Sequence, residues 1–203
     1  QAIVEILKPL GIPMISEENK NKTYEKRKKW SQCWIIDPLD GTKEFIKKNG
    51  EFTVNIALVR DRQPILGLVE APVLETQYYG TTRMGAFKIS KRQEIKLQPI
   101  QPIDLKTEGL KVVASRSHLN QETQDFMDQL NDPQIVSMGS SLKFMLIAEG
   151  EADIYPRFAP TMEWDTAAAH AIINSLDGNV VDQANKPLLY NKENLLNPFF
   201  KVY

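Results

Sequence analysis

The chain has 203 residues, of which 42% are hydrophobic and 25% are charged, and its formal net charge is −1. This size allows a substantial core in one domain or two lobes, and the balanced charge gives no electrostatic reason to expect nucleic acid or a membrane surface as a partner. The single cysteine, Cys33, excludes an internal disulfide and is predicted to be a buried structural thiol, which suits the cytoplasm. His118 and His170 lack the spacing of zinc ligands, and His170 is expected to be structural.

Strand-like segments dominate the first half of the chain, after residues 2–11, which read as the last turns of a helix. That opening predicts that residues upstream of Gln1 are missing, and it carries no secretory pattern. The strand-like segments are rich in Val, Ile, Phe and Tyr and are separated by turn residues. They are Ile12–Ser16, Cys33–Ile36, Phe52–Arg60, Pro64–Glu70, Thr76–Tyr79 and Ala86–Ile89.

One run of basic residues, Lys20–Lys29, lies between the first two predicted strands. It is typical of a solvated loop, and a lid that attracts an anionic substrate is the alternative interpretation. Nucleic-acid binding has the least support, because one short run with little aromatic interleaving is a weak signal for it.

The second half alternates predicted strands and helices, after a proline-containing connection between Gln98 and Gly109. The elements are strand Lys111–Ala114, helix Gln121–Leu130, strand Ile135–Met138, helix Leu142–Glu149, strand Ala152–Tyr155, helix Thr166–Leu176, and short strands at Val180–Val181 and Phe199–Val202. A strand-rich lobe over residues 1–105 and an α/β lobe over residues 106–203 predict an α/β fold of stacked sheets and helices.

Residues 34–43 read W-I-I-D-P-L-D-G-T-K, so an apolar strand runs directly into Asp37 and Asp40. Pro38 should end the strand ladder, Gly41 permits a sharp turn, and the side chain of Thr42 can cap the element that follows. Backbone N–H groups at such a turn favour a phosphate, and two neighbouring carboxylates need a cation between them. Because Mg²⁺ prefers oxygen ligands completed by substrate oxygens, the motif indicates a magnesium-dependent phosphate site rather than a solvated turn.

The spacing of these aspartates distinguishes two phosphatase mechanisms. Haloacid-dehalogenase phosphatases carry D-x-D-G-T, in which the first aspartate is the nucleophile, whereas the carboxylates here lie three positions apart. Two aspartates that share metal ions, with water as the nucleophile, fit this spacing better.

Two further acidic elements are candidates for the same site. In S-E-E at residues 16–18, Glu17 follows a strand and is the better candidate for a ligand, although ordinary loop acidity is an equally good interpretation. In M-E-W-D-T-A-A-A-H-A at residues 162–171, Asp165 lies at a helix start. There it could act only as a cap, or it could add a further carboxylate to a metal site.

In this order, S-E-E, W-I-I-D-P-L-D-G-T-K-E-F and W-D-T-A-A-A-H-A resemble the inositol monophosphatase superfamily of Mg²⁺-dependent, lithium-sensitive phosphatases. The motifs T-V-N-I-A-L-V, G-S-S-L-K-F and A-E-G-E-A-D-I-Y-P-R-F are similar to its CysQ-type 3′(2′),5′-bisphosphate nucleotidase branch. The resemblance runs from about Gly11 to Tyr203 and implies the αβαβα sandwich of the sugar phosphatases, here without the N-terminal helices. It also implies hydrolysis of adenosine 3′,5′-bisphosphate to AMP and phosphate in sulfur assimilation, with activity on the 5′-phosphosulfate relative as well.

The resemblance further implies roles for individual residues. The expected ligands of two or three Mg²⁺ ions are Glu17, Asp37, Leu39 through its carbonyl, Asp40 and Asp165. Asp37 is expected to bridge two ions, and Glu17 and Thr42 to orient and deprotonate the attacking water. All of these ligands except Asp165 lie in the first lobe, to which metal binding is assigned, and nucleotide specificity is assigned to the second lobe.

The expected substrate contacts are Glu17, Leu39, Asp40, Gly41, Thr42, His118, Ser140, Lys143, Arg157 and Asp165. Residues 39–42 are expected to cradle the scissile phosphate. Lys143 and Arg157 suit a second phosphate whatever the family, although each could equally be a surface charge.

Two alternative functions stay open. One is a broader inositol or sugar monophosphate phosphatase of the same superfamily. The other is a non-catalytic nucleotide-binding remnant. Relatives carry an N-terminal S-P-V-T-x-A-D-type segment whose final Asp partners the catalytic Thr, and residues 1–203 contain no such segment. We expect a small nucleotide as the partner, no nucleic acid, and at most peripheral contact with the inner membrane; the oligomeric state is not predicted.

Overall fold

The computed structural model describes residues 1–114 and 119–203. Its large sheet has seven strands that follow one another in chain order. They are β1 (Met14–Ser16), β2 (Gln32–Asp40), β3 (Thr53–Arg60), β4 (Gln63–Ala71), β5 (Thr76–Thr81), β6 (Gly85–Ser90) and β7 (Gln93–Lys96). β1 pairs with β2 in parallel, and the remaining neighbours are antiparallel.

The second half of the chain contributes two small sheets. One is the parallel pair β8 (Lys111–Val113) and β9 (Gln134–Val136). The other is antiparallel, in the order β10 (Tyr155–Arg157), β12 (Phe200–Val202) and β11 (Val180–Asp182).

The helices of the described residues are short except for the last. They are α1 (Ala2–Leu7), α2 (Tyr24–Arg27), α3 (Thr42–Lys47), α4 (Gln121–Met127), α5 (Leu142–Ala148) and α6 (Glu163–Asn174), with 3₁₀ turns at Lys8–Leu10 and Pro72–Leu74. Within the described ranges, none of them has the length and apolar character that crossing a membrane requires.

Helix α6 packs against β2, β3 and β4 at the centre of the large sheet. Its buried face is built from small residues, among them Ala167, Ala168 and Ala171. Gly67 of β4 faces this helix, and a Cβ atom at that position would lie 2.0 Å from the carbonyl oxygen of Ala168. The absence of a side chain at Gly67 therefore sets the distance between α6 and the sheet.

The layers follow the predicted stack of sheets and helices. α6 contacts both the large sheet and β11, α5 contacts both α6 and β10, and α4 contacts β10. One cluster of buried hydrophobic residues includes Ile35 and Val69 from the first half and Phe144 and Ile172 from the second. The core is thus continuous across residue 105, and the division into two lobes there stays a prediction.

Several local predictions were wrong. Pro38 does not end the ladder, because β2 continues to Asp40 through a register shift. The basic run is not a loop throughout, since it contains α2, whose buried Arg27 donates hydrogen bonds to the Asn191 side chain and the Lys192 carbonyl. The strand expected at Ala152–Tyr155 lies instead at β10, because Ile154 forms only an isolated bridge.

Candidate active site

A β-bulge brings Asp37 and Asp40 to the same face of the large sheet. Asp37 is paired with Asn55 and Asp40 with Thr53, so β2 has one residue more than β3 in this interval. In a regular strand, residues three positions apart point to opposite faces. The extra residue in the Pro38–Leu39 segment reverses this, and it also bends and twists the strand. Both carboxylates can therefore share one site.

Asp165 reaches the same site from the first turn of α6. Carboxylate oxygens of Asp37, Asp40 and Asp165 lie within 4.8 Å of one another. Asp165 also accepts a 2.8 Å hydrogen bond from the backbone N–H of Met162, so it caps the helix as well. The close contact between Gly67 and Ala168 holds α6 near enough to the sheet for the three groups to meet.

Glu17 stands at the edge of this trio. It follows β1, and its backbone N–H donates a 3.4 Å hydrogen bond to the carbonyl of Ile36 on the parallel neighbour β2. Its side chain is exposed, and its carboxyl group lies close enough to Asp37 and Asp40 to interact with them electrostatically. Glu17 is not one of the three groups that meet within 4.8 Å, but it extends the cluster towards solvent.

The electrostatics of these four carboxyl groups are those of a cation site. Burial, reinforced by the charge of Asp40, raises the pKa of Asp37 to about 8. Burial likewise raises the pKa of Asp165 to about 6, and it raises the pKa values of Asp40 and Glu17. Repulsion between like charges disfavours the ionised forms until a cation compensates it. The four groups offer the hard oxygen ligands that Mg²⁺ prefers, so the residues present fit that ion.

Two cations line the cavity beside the trio. The side chains of Lys143 and Arg157 share it with Asp40, Asp165 and Ser140. Burial first, and the charge of Arg157 second, lower the pKa of the Lys143 ammonium group. The Nε atom of Arg157 is buried and has no hydrogen-bond partner within the described part of the chain. An anionic ligand such as phosphate could accept hydrogen bonds from both the Lys143 ammonium group and the Arg157 guanidinium group, because charge-assisted hydrogen bonds to phosphate are strong.

The turn after β2 has the predicted conformation. Gly41 has φ +89°, and a Cβ atom there would lie 3.1 Å from the Cβ atom of Ser140. The predicted capping role of Thr42 is wrong, because the N-cap residue of α3 is Gly41 and Thr42 is the first residue of the helix. The Thr42 side chain is exposed, and the first N–H groups of a helix lack partners within that helix. The predicted metal, substrate and catalytic roles of Leu39, Gly41 and Thr42 stay predictions.

Of the nucleotide contacts predicted in the second half, Ser140, Lys143 and Arg157 lie at the cavity beside Asp40. Ser140 lies beside Asp40, but its hydroxyl donates a 2.8 Å hydrogen bond to the carbonyl of Glu51. Lys143 Nζ donates a 3.3 Å hydrogen bond to the carbonyl of Ser140. His118 lies outside the described residues.

The sequence patterns missed a group of buried polar residues around Asp40. Thr53, Asn55 and Ser141 are at most 2% exposed, and all three lie within hydrogen-bond distance of Asp40 Oδ2. The one signal in the sequence was Asn55, a polar residue in the otherwise apolar run V-N-I-A-L-V.

Comparison with known proteins agrees with this fold. The model of the Inositol monophosphatase family matches residues 2–198, and the chain therefore belongs to the inositol monophosphatase family. The chain is 46% identical over 204 residues to the 3′(2′),5′-bisphosphate nucleotidase CysQ of Salmonella typhimurium, covering 98% of this chain and 80% of that protein. It is 37% identical over 193 residues to the nucleotidase of the same name from Haemophilus influenzae, covering 94% and 71%.

A solved structure shows the same fold. The crystal structure of CysQ from Bacteroides thetaiotaomicron, a bacterial member of the inositol monophosphatase family, superposes with a TM-score of 0.88 at 44% identity. The superposition covers 99% of this chain and 80% of that one. The predicted layered α/β fold of this family is confirmed.

Proposed function

We propose that this chain is a Mg²⁺-dependent 3′(2′),5′-bisphosphate nucleotidase that hydrolyses adenosine 3′,5′-bisphosphate to AMP and phosphate. The observation that carries the proposal is the meeting of Asp37, Asp40 and Asp165 beside the cations Lys143 and Arg157. Relatives at 46% identity that carry this name support the substrate class. Removal of this nucleotide would place the protein in sulfur assimilation, and the 5′-phosphosulfate relative would be a second substrate.

The carboxyl groups would hold the divalent ions. Asp37, Asp40 and Asp165 are the central ligands, with Glu17 and the carbonyl of Leu39 at the edge. When bound, Mg²⁺ supplies charge neutralisation for the phosphoryl group and lowers the pKa of a coordinated water. The raised pKa values of the four carboxyl groups support this assignment, because burial, which raises all four, disfavours their charged forms unless a cation compensates the charge.

The protein's own groups would orient the reaction. Glu17, together with the hydroxyl of Thr42, orients the attacking water and takes its proton. The water oxygen forms a bond to phosphorus as the bond from phosphorus to the ribose 3′ oxygen breaks in line, and that oxygen takes up a proton. Gly41 makes the turn that would present the backbone to the phosphate, because its φ of +89° is a conformation that other residues rarely adopt.

The second phosphate would bind at the basic side of the cavity. Lys143 and Arg157 line the same cavity as Asp40 and Asp165, so one substrate could place one phosphate at the carboxylates and the other at the basic pair. An inositol monophosphate carries a single phosphate and leaves the basic pair unused.

The test is a comparison of two substrates. Phosphate release from adenosine 3′,5′-bisphosphate and from inositol 1-phosphate is measured with and without Mg²⁺. We expect Mg²⁺-dependent release with a much higher kcat/KM for the nucleotide. Equal turnover of the two substrates would favour the broader phosphatase, and no turnover of either would favour the nucleotide-binding remnant.

A further inference from the structure

Within the described residues, the hydrogen-bond contacts of the Asp40 carboxylate all involve one of its two oxygens, Oδ2. Its Oδ2 atom lies 2.6 Å from the backbone nitrogen of Ser141, 3.3 Å from the hydroxyl of Thr53 and 3.4 Å from the amide nitrogen of Asn55. Within residues 1–114 and 119–203, no donor lies within hydrogen-bond distance of Asp40 Oδ1. This arrangement leaves Oδ1 for the carboxylate cluster and occupies Oδ2 with the protein.

The directions of the surrounding hydrogen bonds follow from the number of hydrogens on each group. Asn55 Oδ1 can only accept, so the hydroxyl of Ser141 donates to it across 2.8 Å. Ser141 has then used its single hydroxyl hydrogen, so Thr53 must be the donor in its 2.8 Å contact with Ser141 Oγ. The amide nitrogen of Asn55 remains, and it points to Asp40. The network thus runs from Thr53 through Ser141 to Asn55 and ends on Asp40.

The network also joins two elements that carry the site. Thr53 and Asn55 belong to β3, whereas Ser141 directly precedes α5. These residues are 0%, 1% and 2% exposed. A buried polar group without a partner costs about 1–3 kcal/mol, so each member depends on the others being in place. The position of the Ser141 N–H, the shortest contact of Asp40, is therefore set by the side chain of Asn55.

We propose that Asn55 and Ser141 are positioning residues for Asp40. They hold Oδ2 against the protein, which would leave Oδ1 as the oxygen that binds a cation. The inference rests on the proposed function, in which Asp40 is a Mg²⁺ ligand. Hydrogen bonds to a ligating carboxylate orient it, and removing such outer partners typically lowers metal affinity or activity by about 10–100-fold.

The experiment measures Mg²⁺ binding directly. The dissociation constant of Mg²⁺ is determined by isothermal titration calorimetry on the EDTA-treated chain and on its Asn55→Leu and Ser141→Ala variants. We expect each variant to bind Mg²⁺ at least about tenfold more weakly, whereas KM for adenosine 3′,5′-bisphosphate at saturating Mg²⁺ should change little.

Thr76→Val is the matched control. It also removes a buried strand hydroxyl, which donates a 2.9 Å hydrogen bond to the carbonyl of Leu74, far along the chain from the acidic cluster. This control should lose stability without any change in Mg²⁺ affinity. A general loosening of the fold would instead weaken Mg²⁺ binding in all three variants alike and would overturn the proposal.

The outcomes separate the two proposals. If the unmodified chain binds Mg²⁺ and the folded variants bind it within twofold of the same affinity, the positioning role is refuted while the proposed function stands. If the unmodified chain does not bind Mg²⁺, the proposed function itself fails. Should Asn55→Leu not fold, as judged by circular dichroism, the smaller change Ser141→Ala decides the question.

Discussion

Gly67 of β4 lies so close to α6 that a methyl group on it would come within 2.0 Å of the carbonyl oxygen of Ala168. The sheet carries Asp37 and Asp40, and the helix carries Asp165. The spacing of these two layers therefore decides whether the three carboxylates meet.

Gly67→Ala should weaken both the fold and the metal site. The added methyl group must push α6 away from the sheet, and overpacking of this kind costs about 1–3 kcal/mol in the free energy of unfolding. Asp165 should move with the helix, so Mg²⁺ affinity should fall as well. Chemical denaturation and Mg²⁺ titration measure the two effects.

The control for Gly67→Ala is Gly150→Ala. Gly150 has φ +70°, and a Cβ atom added to it would have no other atom within 4 Å, so this change adds only backbone strain. It should reduce stability and leave Mg²⁺ affinity unchanged. Wild-type stability and affinity in Gly67→Ala would contradict the role given to the layer spacing.

Asp37→Asn should abolish turnover without unfolding the protein. The amide keeps the shape of the side chain but cannot take the negative charge with which Asp37, buried near Asp40, Glu17 and Asp165, would bind a cation. The loss of activity should exceed the roughly 10–100-fold that is typical of changes outside the ligand set. Because one source of repulsion is gone, the melting temperature in EDTA should be equal to that of the wild type or higher. An active variant would refute the metal assignment.

Lys143→Gln should impair binding of the bisphosphate selectively. A hydrogen bond to a charged group contributes about 1.5–3 kcal/mol, so KM for adenosine 3′,5′-bisphosphate should rise by roughly tenfold or more. KM for adenosine 3′-monophosphate, which lacks the second phosphate, should rise much less. Lys106→Gln, a change at an exposed lysine, is the control. An equal rise for both substrates would contradict the assignment of Lys143 to the second phosphate.

His170 should make the protein less stable in mild acid. Burial lowers its pKa from 6.5 to about 3, so the folded protein keeps the ring neutral. The unfolded chain takes up a proton below pH 6.5, and the free energy of unfolding should therefore fall as the pH drops from about 6.5 towards 3. One pKa unit corresponds to about 1.4 kcal/mol.

The His170→Asn variant isolates this effect. Its dependence of unfolding free energy on pH should be flatter than that of the wild type between about pH 6 and 4, although the variant loses the 2.9 Å hydrogen bond to Tyr190. Identical slopes in denaturation experiments would show that His170 titrates alike in both states.

The acidic cluster could be predicted from sequence because its members lie in local motifs. The residues 34–42 combine an apolar strand, two carboxylates and a glycine turn, and each feature has a direct structural meaning. The bulge at Pro38 could not be predicted, because proline more often ends a ladder than bends it. Only the pairing of Asp37 with Asn55 and of Asp40 with Thr53 reveals the extra residue.

Other features depend on contacts between distant residues. β7 is exposed along its whole length and reads Q-E-I-K, without alternation, so only its backbone pairing to β6 defines it. Arg27 looks like part of a solvated basic run, yet it is buried against residues 191–193. Asn55 and Ser141 lie 86 positions apart, and no local pattern could connect them.

The most direct test is the recovery of activity as Mg²⁺ is returned to the EDTA-treated protein. Phosphate release from adenosine 3′,5′-bisphosphate is followed over a Mg²⁺ titration, with Asp37→Asn measured in parallel. We predict no release without the ion, saturable recovery for the wild type, and none for the variant. Release that does not depend on Mg²⁺, or that survives in Asp37→Asn, would contradict the account.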